Sequence, residues 1–246
     1  MAVRTGPSTR LGVLFLALGA LVLLTGWALA DTKKSNTAVE SVPRDRHWVK
    51  RHEGFVTQAQ KGDMDVLFLG DSITDGWRNK GLEVWNKNFE PLKAANFGIG
   101  GDRTQHVLWR LQHGELTGIH PKVAVLMIGT NNLAANTVDQ IAAGIKAIVE
   151  ELRGKLPETK ILLLGIFPRD PNPDSKNREK IKAINKIIAH LDDGRHVRYL
   201  DIGPKFLDAE GNLSKSIMPD YLHPDQKGYE IWAEAIREPL KEMLNP

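Results

Sequence analysis

Apolar blocks rich in Val, Leu and Ile alternate along this chain with longer stretches whose apolar residues recur at the helical period. This alternation is typical of a parallel sheet that is covered by helices on both faces. The blocks that predict strands are 65–69, 94–97, 123–128, 160–164 and 197–201. The stretches that predict helices are 45–60, 104–112, 138–156, 177–191 and 225–244. The pattern predicts a three-layer α/β/α, flavodoxin-like, doubly wound domain with a five-stranded parallel sheet.

In such a fold, ligands bind beyond the carboxyl ends of the strands, at the point where the strand order reverses. A strand order of 2-1-3-4-5 makes the first and third strands neighbours and brings the ends of the first three strands to one crevice. A polar turn that contains glycine follows each of these strands. The turns are Gly70-Asp71-Ser72, Gly98-Ile99-Gly100-Gly101-Asp102 and Gly129-Thr130-Asn131-Asn132. We therefore expect the chemistry to lie at this crevice.

The first 30 residues have the layout of an export segment. Arg4 and Arg10 precede an almost wholly apolar run, and Ala28-Leu29-Ala30 places small residues where a signal peptidase cleaves. A signal peptide at 1–30 is therefore predicted. The alternative is an uncleaved membrane anchor, because residues 11–30 carry no charge over about the length that spans a bilayer.

The predicted location is extracytoplasmic under either interpretation. Cleavage gives a secreted or periplasmic protein, and an uncleaved segment attaches the protein to the membrane through residues 11–30 alone. Residues 31–42 are polar and lack apolar periodicity, which predicts a flexible linker ahead of a single folded domain at 43–246.

The amino-acid composition argues against several classes of functional site. The chain has 33 basic and 30 acidic residues, and loss of residues 1–30 reduces the formal charge from +3 to +1. No basic run is interleaved with aromatic residues, so a nucleic-acid surface has no support. Cys is absent, which excludes disulfides, thiolate metal sites and cysteine nucleophiles. No pair of His residues has the spacing of a zinc helix, and no metal or organic cofactor is predicted.

Ser72 is the candidate nucleophile, because a turn between a buried strand and a helix exposes its hydroxyl. Serine is also a preferred helix N-cap, so this position alone leaves a structural role open. A nucleophilic serine needs a base and a group that orients the base. Asp220 and His223 supply both in one loop ahead of the last helix, since their spacing lets the carboxylate reach the imidazole. The alternative is a surface loop with a capping Asp and an incidental His.

Donors for an oxyanion are found at the same strand ends. They are the backbone N–H groups of Ser72 and Gly101 and the side-chain amide of Asn131. Gly101 could instead serve a turn with positive φ, and Asn131 could cap a helix. Neither alternative explains why these residues follow successive strands. The residues predict two-step acyl transfer through an acyl-enzyme, with water as the final acceptor.

Four blocks of the sequence resemble, in order, the four sequence blocks of SGNH/GDSL hydrolases. They are Gly70-Asp71-Ser72-Ile73, Asn96-Phe97-Gly98-Ile99-Gly100-Gly101-Asp102, Gly129-Thr130-Asn131-Asn132 and Asp220-Tyr221-Leu222-His223. More narrowly, the chain resembles the catalytic subunits of the intracellular platelet-activating-factor acetylhydrolase group. That likeness covers roughly residues 45–245 and includes His106-Val107-Leu108-Trp109-Arg110-Leu111.

The resemblance implies a serine esterase in which Ser72 attacks an ester carbonyl and His223, oriented by Asp220, is the base. It implies an oxyanion hole made by the donors named above and a homodimer as the assembly. It also implies a small acyl pocket, which favours acetyl esters. The residues that correspond to this pocket are Ile73, Thr130 and Leu222.

The predicted export segment sets this chain apart from that cytosolic group, so the phospholipid substrate is not carried over. The prediction is instead a small-molecule or carbohydrate ester. Two alternatives remain, which are a lysophospholipase or thioesterase for longer acyl chains and a non-catalytic binding scaffold. Preference for acyl-chain length distinguishes the first alternative, and reactivity of Ser72 toward a fluorophosphonate distinguishes the second.

Overall fold

The computed structural model describes residues 1–4, 6 and 35–245. Met1–Lys34 and Ser35–Pro246 form separate units, and the fold is that of the second unit. Apart from residues 1–4 and 6, the predicted signal peptide or anchor lies outside the described residues, and it stays a prediction. Among the residues that are described, no helix is both long enough and apolar enough to cross a membrane.

One parallel sheet of five strands forms the centre of the described part of the chain. The strands are β1 Val66–Gly70, β2 Ala94–Gly98, β3 Val123–Met127, β4 Lys160–Leu164 and β5 Val197–Leu200. Their order is β2-β1-β3-β4-β5, which confirms the predicted fold class and strand order. Gly70 is in register with Gly98 of β2 and with Met127 of β3. The first three strands therefore end side by side, and the turns that follow them leave the sheet at one edge.

Helices cover both faces of this sheet. In the described residues they are α1 Arg46–Ala59, α2 Ser72–Asp75, α3 Leu82–Asn88, α4 Thr104–Arg110, α5 Val138–Lys155, α6 Lys176–Ile188 and α7 Gln226–Leu244. A helix was expected to begin at Ser72, without a predicted end, and it is the short helix α2; the short helix α3 was not predicted. The helix expected at 104–112 ends at Arg110 and continues as a wider turn through Glu115, in which Gly114 has a φ of 97° and leaves helical geometry.

Alternate residues of β1 face opposite layers and build two apolar clusters. Leu67 and Leu69 pack in the layer formed by α1, α4, α5 and α6. Val66 and Phe68 pack in the layer formed by α2, α3 and α7, where Trp232 is fully buried. Because both faces of the central strands are buried, these strands read as continuous apolar runs rather than alternating ones.

Residues 35–44, which we call the N-terminal arm, pack against the helical layer. Ala38 is buried, and its carbonyl accepts a hydrogen bond from Thr104 Oγ1 at 2.7 Å. Thr37 Oγ1 accepts another from Asn136 Nδ2 at 2.8 Å. The compact unit begins at Ser35, so residues 35–42 of the predicted linker pack with the folded unit, and residues 31–34 lie outside the described residues. Polar contacts hold this segment, and such contacts leave no apolar periodicity in the sequence.

The packing of the arm predicts opposite effects for two Gly→Ala substitutions on α5. A Cβ at Gly144 would lie 2.5 Å from Thr104 Oγ1 and 2.7 Å from the Ala38 carbonyl, whereas a Cβ at Gly154 has no neighbour within 4 Å. Ala favours a helix over Gly by roughly 1 kcal/mol. Gly154→Ala should raise the free energy of unfolding by about that amount, and Gly144→Ala should lower it by about 1–3 kcal/mol through overpacking. Urea unfolding measures both, and equal stabilisation would contradict the described packing.

Candidate active site

A sharp turn at the end of β1 positions Ser72 at the first residue of α2. Asp71 caps this helix, since its Oδ1 accepts a hydrogen bond from the Ile73 N–H at 3.0 Å. Gly70 cannot be replaced without rearrangement, because a Cβ there would meet Thr74 and would lie 2.5 Å from the Met127 carbonyl. The main chain therefore passes close to β3 before it exposes the Ser72 side chain.

The loop that carries Asp220 and His223 is shaped by two residues in the left-handed region. Tyr221 has a φ of 58°, and its N–H donates to the Met218 carbonyl at 2.8 Å. Its carbonyl accepts from the N–H of Asp170, whose φ is 66°, at 3.0 Å. Non-glycine residues adopt this region rarely. These paired turns fix the direction in which His223 leaves the loop.

The structure brings the three predicted catalytic residues into one hydrogen-bonded line. Ser72 Oγ lies 2.9 Å from His223 Nε2, although the two residues are 151 positions apart. On the other side of the ring, His223 Nδ1 lies 2.6 Å from Asp220 Oδ2. The second carboxylate oxygen, Oδ1, accepts from the N–H groups of Leu222 and His223 at 3.0 and 2.8 Å. This geometry matches the roles of nucleophile, base and orienting carboxylate.

The electrostatics of Asp220 suit an orienting carboxylate. Partial burial raises the pKa of this group, but hydrogen bonds from the His223 ring and from two backbone N–H groups outweigh burial and hold the pKa below its usual range. Asp220 is therefore ionised at neutral pH and can stabilise a positive charge on His223.

One residue of α7 connects the serine turn to the histidine loop. The Tyr229 hydroxyl donates to the Ile73 carbonyl at 2.8 Å, directly after Ser72. The tyrosine ring is buried against Trp77, with ring centroids 4.4 Å apart. Since α7 begins three residues after His223, this contact couples the positions of the two loops. No pattern in the sequence signalled this role of Tyr229.

The three predicted oxyanion donors lie in the turns that follow β1, β2 and β3. Gly100 lies against the serine, since a Cβ at Gly100 would be 3.8 Å from Ser72 Cβ, and Gly101 follows with a φ of 77°. The N–H groups of Ser72 and Gly101 have no hydrogen-bond partner within the described part of the chain. Asn131 Nδ2 donates one hydrogen to the Asp102 carbonyl at 2.9 Å, which leaves its second hydrogen available.

The residues predicted to line an acyl pocket occupy two kinds of environment. Ile73 is only 1% exposed and belongs to the same apolar cluster as the partly buried Leu222. Thr130 is 2% exposed, and its Oγ1 accepts a hydrogen bond from Arg169 Nη1 at 3.4 Å. No sequence pattern indicated that Arg169 lies beside this position.

In the part of the chain that the structure describes, no group of three or more His, Asp or Glu side chains is arranged to hold a metal ion.

The GDSL-like Lipase/Acylhydrolase family model matches residues 68–231, which include all of the candidate site residues described so far. The chain belongs to this family. It is therefore a hydrolase that acts on acyl esters.

Named relatives and solved structures agree with this assignment. Platelet-activating factor acetylhydrolase IB subunit alpha1 of Homo sapiens is 39% identical over 209 residues, which are 85% of this chain and 89% of the relative. Subunit alpha2 of Mus musculus is 38% identical over 207 residues, 84% of this chain and 89% of the relative. The resemblance to this acetylhydrolase group is thus confirmed.

The fold is shared with more distant structures. A GDSL-like lipase from Bacteroides thetaiotaomicron matches with a TM-score of 0.64 and 21% identity, covering 78% of this chain and 97% of that one. An acetylxylan esterase from Geobacillus stearothermophilus matches with a TM-score of 0.59 and 18% identity, covering 74% of this chain and 94% of that one.

The buried carboxyl group of Asp71 should make the protein less stable as the pH rises, and Asp71→Asn should lack this effect. Burial is the main cause that raises its pKa to about 7; the Ile73 N–H opposes this shift, and the charge of Asp102 adds to it. An unfolded Asp has a pKa of about 3.9. Between about pH 4 and 7 the folded protein therefore binds more protons than the unfolded chain, so stability falls as pH rises.

Asp71→Asn keeps an acceptor for Ile73 and removes this ionisation, at a fixed cost for burying an NH₂ group. From pH 4 to 7, we expect the free energy of unfolding of wild type to fall relative to that of the variant by up to about 4 kcal/mol. Urea unfolding at a series of pH values measures the difference. A constant difference across that range would show that Asp71 does not titrate there.

Proposed function

We propose that this acylhydrolase is an exported serine esterase that removes short acyl groups, chiefly acetyl, from carbohydrate or other small esters. The observation that carries the proposal is the line of short contacts from Ser72 Oγ through His223 to Asp220, at 2.9 and 2.6 Å. A serine activated in this way attacks an ester carbonyl and retains the acyl group as a covalent intermediate.

In the first step, Ser72 Oγ forms a bond to the carbonyl carbon as its proton passes to His223 Nε2. Asp220 keeps Nδ1 protonated and stabilises the resulting imidazolium. The tetrahedral intermediate collapses when the ester C–O bond breaks, and the leaving alcohol takes the proton from His223. Water then attacks the acyl-enzyme with His223 again as base, which releases the carboxylic acid and restores Ser72.

The negative charge of each tetrahedral intermediate develops on the former carbonyl oxygen. The N–H groups of Ser72 and Gly101, together with the second hydrogen of the Asn131 amide, are the donors that we assign to it. Donors fixed before reaction stabilise this charge without reorganisation during the step, which is why such groups account for large rate effects.

Acetyl preference is supported by burial and by relatives. Ile73, next to the nucleophile in sequence, and Thr130, in the turn after β3, are almost fully buried, so these two side chains leave little open space for a long acyl chain. The relatives of 38–39% identity are named as acetylhydrolases. We therefore assign the acyl pocket to Ile73, Thr130 and Leu222.

The alcohol side of the ester is less restricted. The side chains of His223 and Asp220 are 44% and 57% exposed, so a bulky alcohol can extend into solvent while its acyl group enters the site. An acetylated carbohydrate fits this openness. An acetylxylan esterase shares the fold, and the export pattern of residues 1–30 is consistent with a substrate outside the cytoplasm.

Hydrolysis of nitrophenyl esters from acetyl to octanoyl tests the reaction and the acyl preference together. We expect the wild-type rate to be highest for acetyl and to fall with chain length. Ser72→Ala and His223→Ala should each reduce kcat by about 10⁴-fold, because each removes a participant in proton transfer and bond formation. The exposed His190→Ala serves as the matched control and should retain wild-type activity.

Each other outcome selects an alternative. Rates that rise toward octanoyl would replace the short-chain proposal with a longer-chain lipase or thioesterase. If a folded wild-type protein hydrolyses no ester and a fluorophosphonate fails to label Ser72, the site is a binding scaffold and the esterase proposal fails. Undiminished activity in Ser72→Ala would assign the nucleophile to another residue.

Export and cleavage are tested by the N-terminus of the protein recovered from a secreting host. We expect a mature chain that begins at Asp31, outside the cytoplasm, because Ala28 and Ala30 provide the small residues that a signal peptidase requires. Replacing Ala30 with Arg should leave the segment attached. Full-length wild-type chain in the membrane fraction would favour the anchor, and full-length chain in the cytoplasm would contradict export.

A further inference from the structure

Arg44 lies at the end of the N-terminal arm, directly beside the loop that contains Gly101. Its Nη1 donates to the Gly100 carbonyl at 2.7 Å and to Asp102 Oδ1 at 3.2 Å. A Cβ at Gly101 would lie 3.2 Å from Nη1 and 3.3 Å from Nη2, so the guanidinium packs against this glycine. Arg44 precedes the part of the chain that the family model matches, residues 68–231, and the family assignment gives it no role.

The contact with Gly100 determines where the N–H of Gly101 points. The Gly100 carbonyl and the Gly101 N–H belong to one peptide unit, and in a trans peptide these two groups point in opposite directions. A carbonyl held against Arg44 therefore directs the N–H away from Arg44. Gly101 has a φ of 77°, which glycine adopts without strain, so this orientation is accessible.

The charge of Arg44 also strengthens this donor. A cation bound to the carbonyl oxygen polarises the peptide unit, and the N–H at its other end becomes a better donor, as in other linked hydrogen bonds in a low dielectric. The Arg44 side chain is 30% exposed, but the side chain of its partner Asp102 is fully buried, so one side of this contact is shielded from water.

The carboxylate of Asp102 fixes the same loop to buried side chains. It accepts from Trp48 Nε1 at 2.6 Å and pairs with Arg110 Nε at 3.1 Å, and both partners are buried. The Asp102 carbonyl accepts a hydrogen bond from Asn131 Nδ2. A shift of this loop would therefore move two of the three oxyanion donors, the Gly101 N–H and the Asn131 amide. Arg44 is the part of this arrangement that comes from the arm and reaches solvent.

We propose that Arg44 is a positioning residue of the oxyanion hole, which binds the Gly100 carbonyl and thereby aims and strengthens the Gly101 N–H. This inference rests on the proposed esterase function. It assigns to the N-terminal arm a part in catalysis, because the arm delivers Arg44 to the loop. Arg44 does not itself contact the reacting ester.

The test compares Arg44→Ala with Arg153→Ala in the full chain. Arg153 is a matched control, since it is also half-buried and donates to two main-chain carbonyls, those of Pro157 and Thr159. These carbonyls precede β4 and so lie at the amino ends of the strands, opposite to the active site. Loss of a whole oxyanion donor lowers kcat by about 10²–10³-fold. We expect a smaller fall, about 10- to 100-fold, for Arg44→Ala on the acetyl ester, with KM nearly unchanged, and no fall for Arg153→Ala.

Chemical rescue separates positioning from general stability. Because Arg44 reaches solvent, added guanidinium ion at non-denaturing concentration can enter the space left by Arg44→Ala. We expect it to restore part of the lost kcat in that variant and to leave Arg153→Ala unchanged. A wild-type kcat in Arg44→Ala, or a change confined to KM, would overturn the proposal, and the esterase function would still stand if Ser72→Ala remained inactive.

Hydrogen exchange gives a second readout that does not depend on turnover. If Arg44 holds the loop, backbone exchange at residues 98–103 should increase in Arg44→Ala and not in Arg153→Ala. This measurement decides the positioning claim even if wild-type protein proves inactive on every ester, an outcome that would defeat the proposed function instead. Unchanged exchange at 98–103 would overturn the role of Arg44.

Discussion

The ends of β1 and β2 approach α2 so closely that two glycines have no room for a side chain. A Cβ at Gly70 would meet Thr74, and one at Gly98 would meet the backbone of Asp75. This close approach brings the loop after β2 against Ser72. The remaining features of the site depend on it, because an oxyanion donor is effective only within hydrogen-bond distance of the carbonyl that the nucleophile attacks.

A buried carboxylate holds the other side of that loop. Asp102 is completely buried, and burial raises its pKa even though Arg110 and Arg44 lie beside it. Arg110 also binds Glu115 at 2.7 Å, which extends the arrangement away from the site. Such a network contributes little net stability, since desolvation offsets the attraction, but loss of one partner leaves an uncompensated charge. Its value in this protein is geometric, because it fixes where the loop lies.

Elements with long apolar patterns were predictable from the sequence almost residue by residue. The bounds predicted for β4 agree with the structure, and α5 was predicted to within one residue of its end. The helix α3 has only seven residues, too few to show a helical period, and it was missed. The approach of Ser72 to His223 was inferred from strand topology and from the position of a loop, and neither of these specifies a distance.

Arg44 and Tyr229 show where such inference ends. Each binds a single carbonyl through a side chain, and the sequence carries no periodicity or spacing that links donor to acceptor. The two residues also differ in where they lie relative to the family match. Tyr229 lies within the matched residues 68–231, whereas the arm that carries Arg44 precedes them. A positioning contact from outside that region can change the strength of the Gly101 donor without changing Ser72, His223 or Asp220. The arm can therefore modulate the catalytic rate while the nucleophile, the base and the orienting carboxylate stay the same.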